Sequence, residues 1–277
     1  MLFLLSTGSL WSYSIERCFF LGKEASYDGI ELVVDHRWET RQASYLSQLI
    51  EKHQLPILAI HSPFMPHLPG WPADQPLRIE LSVKLAEQLG AQVVVHHLPN
   101  RIGFAFLQST KRRRFIPVPS NPEAGYRRWI ENGYREFQSG TDVKLCIENM
   151  PALRKFGRRW SYSHWNTTSE ISRFRYITID TTHLGTWGLD PLKVYSELSE
   201  KVAHIHLSNY DGHEHQLPDN GQLQLDILLK RLSEDHYSGF VTLELYPEAL
   251  HAGEPDDVVL THLRNSLEFC HQSTEVD

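Results

Sequence analysis

Short apolar or β-branched runs alternate along this chain with longer stretches whose apolar residues recur at helical spacing. Eight runs read as strands: "LFLLS" (2–6), "GIELVV" (29–34), "PILAIH" (56–61), "QVVVHH" (92–97), "KLCIEN" (144–149), "YITID" (176–180), "VAHIHLS" (202–208) and "FVTLEL" (240–245). Between them, "RQASYLSQLIEKHQ", "PLRIELSVKLAEQLG", "PEAGYRRWIENGYREFQ", "DPLKVYSELSEKV" and "LQLDILLKRLSED" read as amphipathic helices. Eight βα repeats in a chain of 277 residues predict one α/β domain over 1–277, a closed (β/α)8 TIM barrel. A doubly wound open sheet would want a glycine-rich phosphate loop after its first strand, and "STGSLWSYS" contains no G-x-G-x-x-G.

Side-chain parity sharpens the picture. Ile30, Leu32 and Val34, Leu145 and Ile147, Ile177 and Ile179, Ala203, Ile205 and Leu207, and Val241, Leu243 and Leu245 fall on the helix-facing side of their strands. Their alternates point inward: Glu31, Glu148, Asp180, His204, His206 and Glu244, near the C-terminal strand ends where barrels carry their chemistry. One inward carboxylate reads equally well as a hydrogen-bonded core residue. Several carboxylates together with a histidine carry a large electrostatic cost in a low-dielectric mouth, which a divalent cation removes. The stretch "HIHLSNYDGHEH" (204–215) adds further imidazole to the same end.

Composition narrows the class. Cys18, Cys146 and Cys270 have no C-x-x-C spacing, so neither a disulfide framework nor a cysteine metal site is expected, and a cytoplasmic location fits. The N-terminal "MLFLLSTGSLW" has no basic leader and too short an apolar run for a bilayer, so it reads as the first strand and no membrane association is expected. A formal net charge of -7 argues against coating nucleic acid through a global basic field. Local basic runs, "KRRR" (111–114) and "RKFGRRW" (154–160), follow the fourth and fifth strands and so rise from the mouth.

In this order and at these spacings, "YDGIEL", "IHSPF", "AEQLGAQVVVHHLP", "LCIENM", "IDTTH", "HIHLSN" and "TLELYP" resemble the xylose isomerase-like barrels. That family holds sugar isomerases and epimerases together with endonuclease IV-type abasic-site nucleases, and the resemblance covers nearly the whole chain. It implies a metal set of Glu148, Asp180, His206 and Glu244, with Glu148 and Glu244 also moving protons. Oxygen and imidazole donors suit Mn, Mg, Co or Zn. His183 matches a position that contacts substrate in the isomerases and metal in the nucleases. His61 and His97 match further nuclease ligands, His97 being preferred to His96 on its distance from Gly90. The nuclease pattern of three zinc ions also wants an acid-x-His pair, for which Asp211 with His213, or His213 with His215, are the occupants. The loops that would grip DNA depart from that pattern: "HSPF", "HLP" and "PDNG" stand where it has other residues.

Two chemistries follow from the resemblance. A metal-dependent isomerase or epimerase would acidify a C–H beside a polarised carbonyl and pass the proton through Glu148 and Glu244 by way of an enediolate, with His183 as a donor. Its partner would be a small sugar or sugar phosphate, with Trp187, Phe64 and Trp11 as apolar walls and Arg158 and Arg159 as a phosphate grip. A multi-zinc phosphodiesterase acting on abasic DNA is the alternative, Trp160, Tyr162 and Trp165 then serving base stacking, and a non-catalytic metal- or sugar-binding barrel is a third. A homo-oligomer is left open. His204 reads as a buried partner below the site, and His53, His67, His236, His251, His262 and His271 as ordinary surface or interhelix residues.

Overall fold

The computed structural model describes residues 1–65, 67–109, 112–118 and 123–275, with the backbone alone for 103–109 and 112–118. Its strands in chain order are β1 (Leu2–Ser6), β2 (Gly29–Val33), β3 (Ile57–His61), β4 (Val93–His97), β5 (Gly103–Ser109), β6 (Arg112–Val118), β7 (Lys144–Glu148), β8 (Leu153–Lys155), β9 (Arg158–Trp160), β10 (Tyr176–Asp180), β11 (Val202–Leu207) and β12 (Phe240–Leu243). The eight predicted runs are β1, β2, β3, β4, β7, β10, β11 and β12, and they close in that order into a parallel barrel. The described helices are α1 (Ile15–Glu24), α2 (Ala43–His53), α3 (Gln75–Leu89), α4 (Ala124–Asn132), α5 (Tyr134–Ser139), α6 (Thr168–Ile171), α7 (Thr181–Trp187), α8 (Pro191–Leu198), α9 (Leu225–Glu234) and α10 (Asp256–Thr274). None is long and apolar enough to cross a membrane.

Local chemistry sets these boundaries. Ser14 and Asp74 accept hydrogen bonds from the first-turn amides of α1 and α3, and Gly90 ends α3 in the left-handed conformation that glycine adopts without steric cost. The expected helix over 122–138 is divided at Gly133 into α4 and α5, glycine being a poor residue for a helix interior. Two antiparallel hairpins, β5–β6 and β8–β9, occupy loops that the hydrophobic pattern left unassigned. Lys111 of the first basic run lies outside the described residues, as do the side chains of Arg112, Arg113 and Arg114.

Two cores flank the strands. The larger packs their outer faces against the helices. The smaller fills the barrel with Leu4, Ala59, Val93, Val95, Cys146 and Phe240, capped by a buried polar layer of Glu31, Thr178, His204 and Thr242. The polar layer supports the open end. A buried ion pair braces one side of it: Arg37 holds Asp35 and also donates to the carbonyls of Thr7 (3.0 Å), Leu10 (3.2 Å) and Tyr13 (3.1 Å). The segment after β1 is thereby tied to the segment after β2.

Candidate metal centre at the barrel mouth

Register brings the donors together. β4 and β7 pair with His97 beside Glu148, and β10 and β11 pair with Asp180 beside His206. Glu244 follows the last residue of β12 and reaches the same point. One atom each from Glu148, Asp180, His206 and Glu244 lies within 4.8 Å of all the others. Two flanking groups share these residues: His61 and His97 with Glu148, and His183 and His215 with Asp180.

Hydrogen-bond logic shows what the centre needs. His206 uses Nε2 toward Glu31, 3.1 Å away, so in a neutral ring Nδ1 is a lone pair. That Nδ1 faces Glu244 at 3.0 Å and Glu148 at 3.3 Å, which are also acceptors. His61 repeats the pattern, its Nδ1 meeting the Ser62 carbonyl at 2.9 Å and its Nε2 meeting Glu148 at 3.3 Å. Acceptors that face acceptors require a cation between them, either a proton or a metal ion. Asp180 Oδ2 is buried among them with no donor of its own. The donor set therefore fits a divalent metal, and its oxygen and nitrogen chemistry suits Mn, Mg, Co or Zn.

Protonation tells the same story. Burial pushes Glu148 upward, but His206, His61 and His97 hold its carboxyl well below the usual range. Glu244 is brought down to about 2 in the same way, against burial, chiefly by His206. Asp180 goes well above its usual value through burial and the charges of Glu148 and Glu244, which outweigh His215 and His206. Burial disfavours charge on His206, yet Glu31, Glu244 and Glu148 raise it well above the usual imidazole value. Protons on Asp180 and His206 thus supply positive charge that a dication can replace.

Behind the centre stands Glu31, fully buried on β2. It accepts from His204 Nε2 at 2.7 Å and from His206 Nε2 at 3.1 Å, which fixes the His206 tautomer. His204 is accordingly a buried, hydrogen-bonded partner beneath the centre. His96 points the other way, into the helix layer, where Tyr126 bonds its Nδ1 at 2.7 Å. His183 donates from Nδ1 to the Asn149 carbonyl at 2.8 Å, so its Nε2 is an acceptor in the neutral ring and the expected donor role belongs only to the protonated ring.

Above the donors opens a cleft of about 520 Å³. Trp11 and Phe64 line it, and Phe64 stacks on His97 with centroids 4.9 Å apart. Tyr162, expected only as a base-stacking ring, also lines it, as do Met65, Met150 and Tyr246, which were not anticipated; the nearness of Tyr246 to Glu244 in sequence was the available signal. Other expected contacts fall elsewhere. Trp187 ends α7 with its ring N–H on the Met150 carbonyl at 2.9 Å and does not line the cleft. Arg158 and Arg159 sit on exposed β9 outside it, and the Arg159 guanidinium packs over Gly188, within 2.8 Å of where a Cβ would stand. Both arginines border a separate shallow pocket on the hairpin, with Arg154 and Trp160, away from the donor cluster.

Asp211 and His213 are likewise not brought to the centre. They pair with each other at 3.2 Å, and the His213 side chain is 84% exposed, because the turn at Gly212 carries them outward. His215 alone returns, in a left-handed conformation (φ 56°) that lays Nδ1 3.1 Å from the Glu244 carbonyl.

Comparison with known proteins agrees with this architecture. The chain is 27% identical to an uncharacterized protein of Mycobacterium leprae over 288 aligned positions, covering 96% of this chain and 95% of that one. It superimposes on the IOLI protein with a bound zinc atom at a TM-score of 0.71 (14% identity, 100% of both chains). A D-tagatose 3-epimerase-like protein matches at 0.67 (20% identity, 99% of this chain and 100% of that one). The profile of one family matches residues 19–265, and with eight parallel strands closed around a mouth of carboxylates and imidazoles, the chain belongs to the xylose isomerase-like TIM barrel family.

Proposed function

We propose that this protein is a divalent-metal-dependent isomerase or epimerase of a sugar or related hydroxy-carbonyl compound. The observation that carries the proposal is the pair Glu148 and Glu244, two carboxylates in one donor cluster on strands that are not neighbours in the barrel, at the floor of an open cleft. A bound dication would polarise the substrate carbonyl and so acidify the adjacent C–H. Glu148, Asp180, His206 and Glu244 would hold that ion. Glu244 is the carboxylate open to the cleft, with 21% of its side chain exposed, and so is placed to take a proton from carbon. Glu148, approaching from the other side, returns a proton to the second face or atom. Glu31 keeps His206 in the tautomer whose Nδ1 faces the centre. The half-exposed rings of Trp11 and Phe64 would cover a bound substrate on the upper side of the cleft.

A multi-zinc phosphodiesterase is the second reading, favoured by the flanking groups His61–His97–Glu148 and Asp180–His183–His215. It lacks the acid-x-His pair at the third group, since Asp211 and His213 turn away, and Arg158 and Arg159 stand off the cleft. Metal analysis and solvent exchange separate the two. Protein purified without chelator should hold about one equivalent of divalent metal, and ketoses incubated with it in deuterium oxide should gain deuterium at carbon. About three zinc ions per chain, with strand scission at abasic DNA and no deuterium incorporation, would overturn the first reading.

A further inference from the structure

The floor and the walls of the cleft differ in chemistry. Oxygen and imidazole donors crowd the floor, whereas Trp11, Phe64, Met65, Met150 and Tyr246 face the upper space. Three of these are large side chains left substantially exposed, Trp11 at 52%, Phe64 at 53% and Tyr246 at 44%. They follow β1, β3 and β12, so three rings stand on the side of the mouth where β12, β1, β2 and β3 are neighbours, together with Val34, Asp35 and His36 after β2. Of the two polar side chains that follow β2 into this lining, Asp35 has both oxygens committed to Arg37, and His36 is exposed beside the rings. No lysine or arginine lines the cleft among the described residues. A fully hydroxylated sugar lying flat on the faces of these rings would leave the hydroxyls pressed against them without partners, and a buried unpartnered hydroxyl is costly. A volume of about 520 Å³ is also that of a cleft for a drug-sized ligand.

From this contrast we infer that the substrate has two parts: an oxygen-rich hydroxy-carbonyl end that meets the floor, and an uncharged planar or apolar body that lies on Trp11, Phe64 and Tyr246. A sugar carrying an aryl or similar apolar substituent belongs to this class; a sugar phosphate does not. The inference rests on the proposed metal-dependent site for its first half and on the aromatic wall for its second.

Three small probes share the same chelating end and test the second half alone: hydroxyacetone, 2-hydroxyacetophenone and dihydroxyacetone phosphate. Their affinities for the manganese-loaded protein are read by calorimetry and by quenching of tryptophan fluorescence. The phenyl compound should bind at least about tenfold more tightly than the methyl compound, since burying an aromatic ring supplies more than one such factor. Trp11→Ala and Phe64→Ala should each erode that preference, the phenyl compound losing more affinity than hydroxyacetone does. Equal affinities for the phenyl and methyl compounds, tightest binding of the phosphate, or a phenyl preference that survives both substitutions would overturn the inference. Manganese dependence reads the floor separately: phenyl preference with affinities indifferent to manganese supports the wall and counts against the metal-dependent function, whereas manganese-dependent binding without phenyl preference does the reverse.

Discussion

Glu31 touches nothing in the cleft, yet the structure makes it decisive for the metal centre. Consider Glu31→Gln, which keeps the shape and removes the charge. Two charge-assisted hydrogen bonds, from His204 at 2.7 Å and His206 at 3.1 Å, become neutral ones. Bonds to charged groups contribute about 1.5–3 kcal/mol against about 0.5–1.5 for neutral ones, so roughly 2–3 kcal/mol is lost from the pair. Glu31 Oε1 is buried without a partner, and a glutamine nitrogen placed there becomes an orphaned donor worth about 1–3 kcal/mol more. The metal-free protein should therefore lose about 3–6 kcal/mol in urea unfolding, a range that overlaps the cost of breaking a buried pair. Metal affinity should fall about 10–100-fold, the usual effect of losing a carboxylate behind a ligating histidine. The loss has a pH signature. Glu31 also raises the proton affinity of His206, so below the raised His206 value the variant loses less apparent affinity, because the competing proton is weakened too. Titration calorimetry with Mn²⁺ in mildly acidic and in alkaline buffer measures both arms. Unchanged metal affinity in alkaline buffer, together with wild-type stability, would refute the tautomer argument.

Other consequences are more direct. Glu148→Gln should reduce bound metal and turnover by more than about 100-fold, beyond any outer-partner effect, because Glu148 serves the central and one flanking group; His97→Ala should leave both nearly intact if one ion is used, and metal content with deuterium exchange decides. In metal-free protein, the stabilisation from lowered Glu31, Glu148 and Glu244 is complete above the ordinary carboxylate value of about 4.3 and is lost as pH falls through their lowered values. The stabilisation from raised His206 is complete below about 6.5 and is lost as pH rises through its raised value, and raised Asp180 likewise favours the acidic side. His96, His97 and His204, whose values are lowered chiefly by burial, act the other way and lose stability as pH falls below about 6.5. Thermal melts should thus depend on pH on both flanks, and excess Mn²⁺ should weaken the dependence; melting that ignores both pH and Mn²⁺ would contradict the charge assignment. Gly185→Ala on α7 would place a Cβ 2.7 Å from Tyr210 Cβ and should cost about 1–3 kcal/mol in urea unfolding, a midpoint equal to wild type being the contrary result.

What the sequence revealed tracks periodicity. A strand fixes the direction of every second side chain, so Glu148, Asp180 and His206 could be aimed at the mouth from their runs alone. Where periodicity ends, direction was lost: Asp211, His213, Trp187, Arg158 and Arg159 all lie in turns, at a helix end or in a three-residue strand. The hairpin β8–β9 was hidden because a run of basic residues reads as solvated loop. Glu31 was legible as an inward carboxylate, but not its bonds to His204 and His206, more than 170 positions away, which arise only when the barrel closes.

The brace around Arg37 has a consequence for how such a scaffold can diversify. By binding carbonyls at Thr7, Leu10 and Tyr13 while locked to Asp35, it welds the first two strand ends into one unit. On that side, new preferences can come only by exchanging rings such as Trp11 in place, because a change of loop length would unseat the guanidinium. The hairpin after β7 is held instead from α7, by Thr186 on the Ala152 amide and by Arg159 over Gly188, so the two sides of the entrance are anchored to different parts of the barrel.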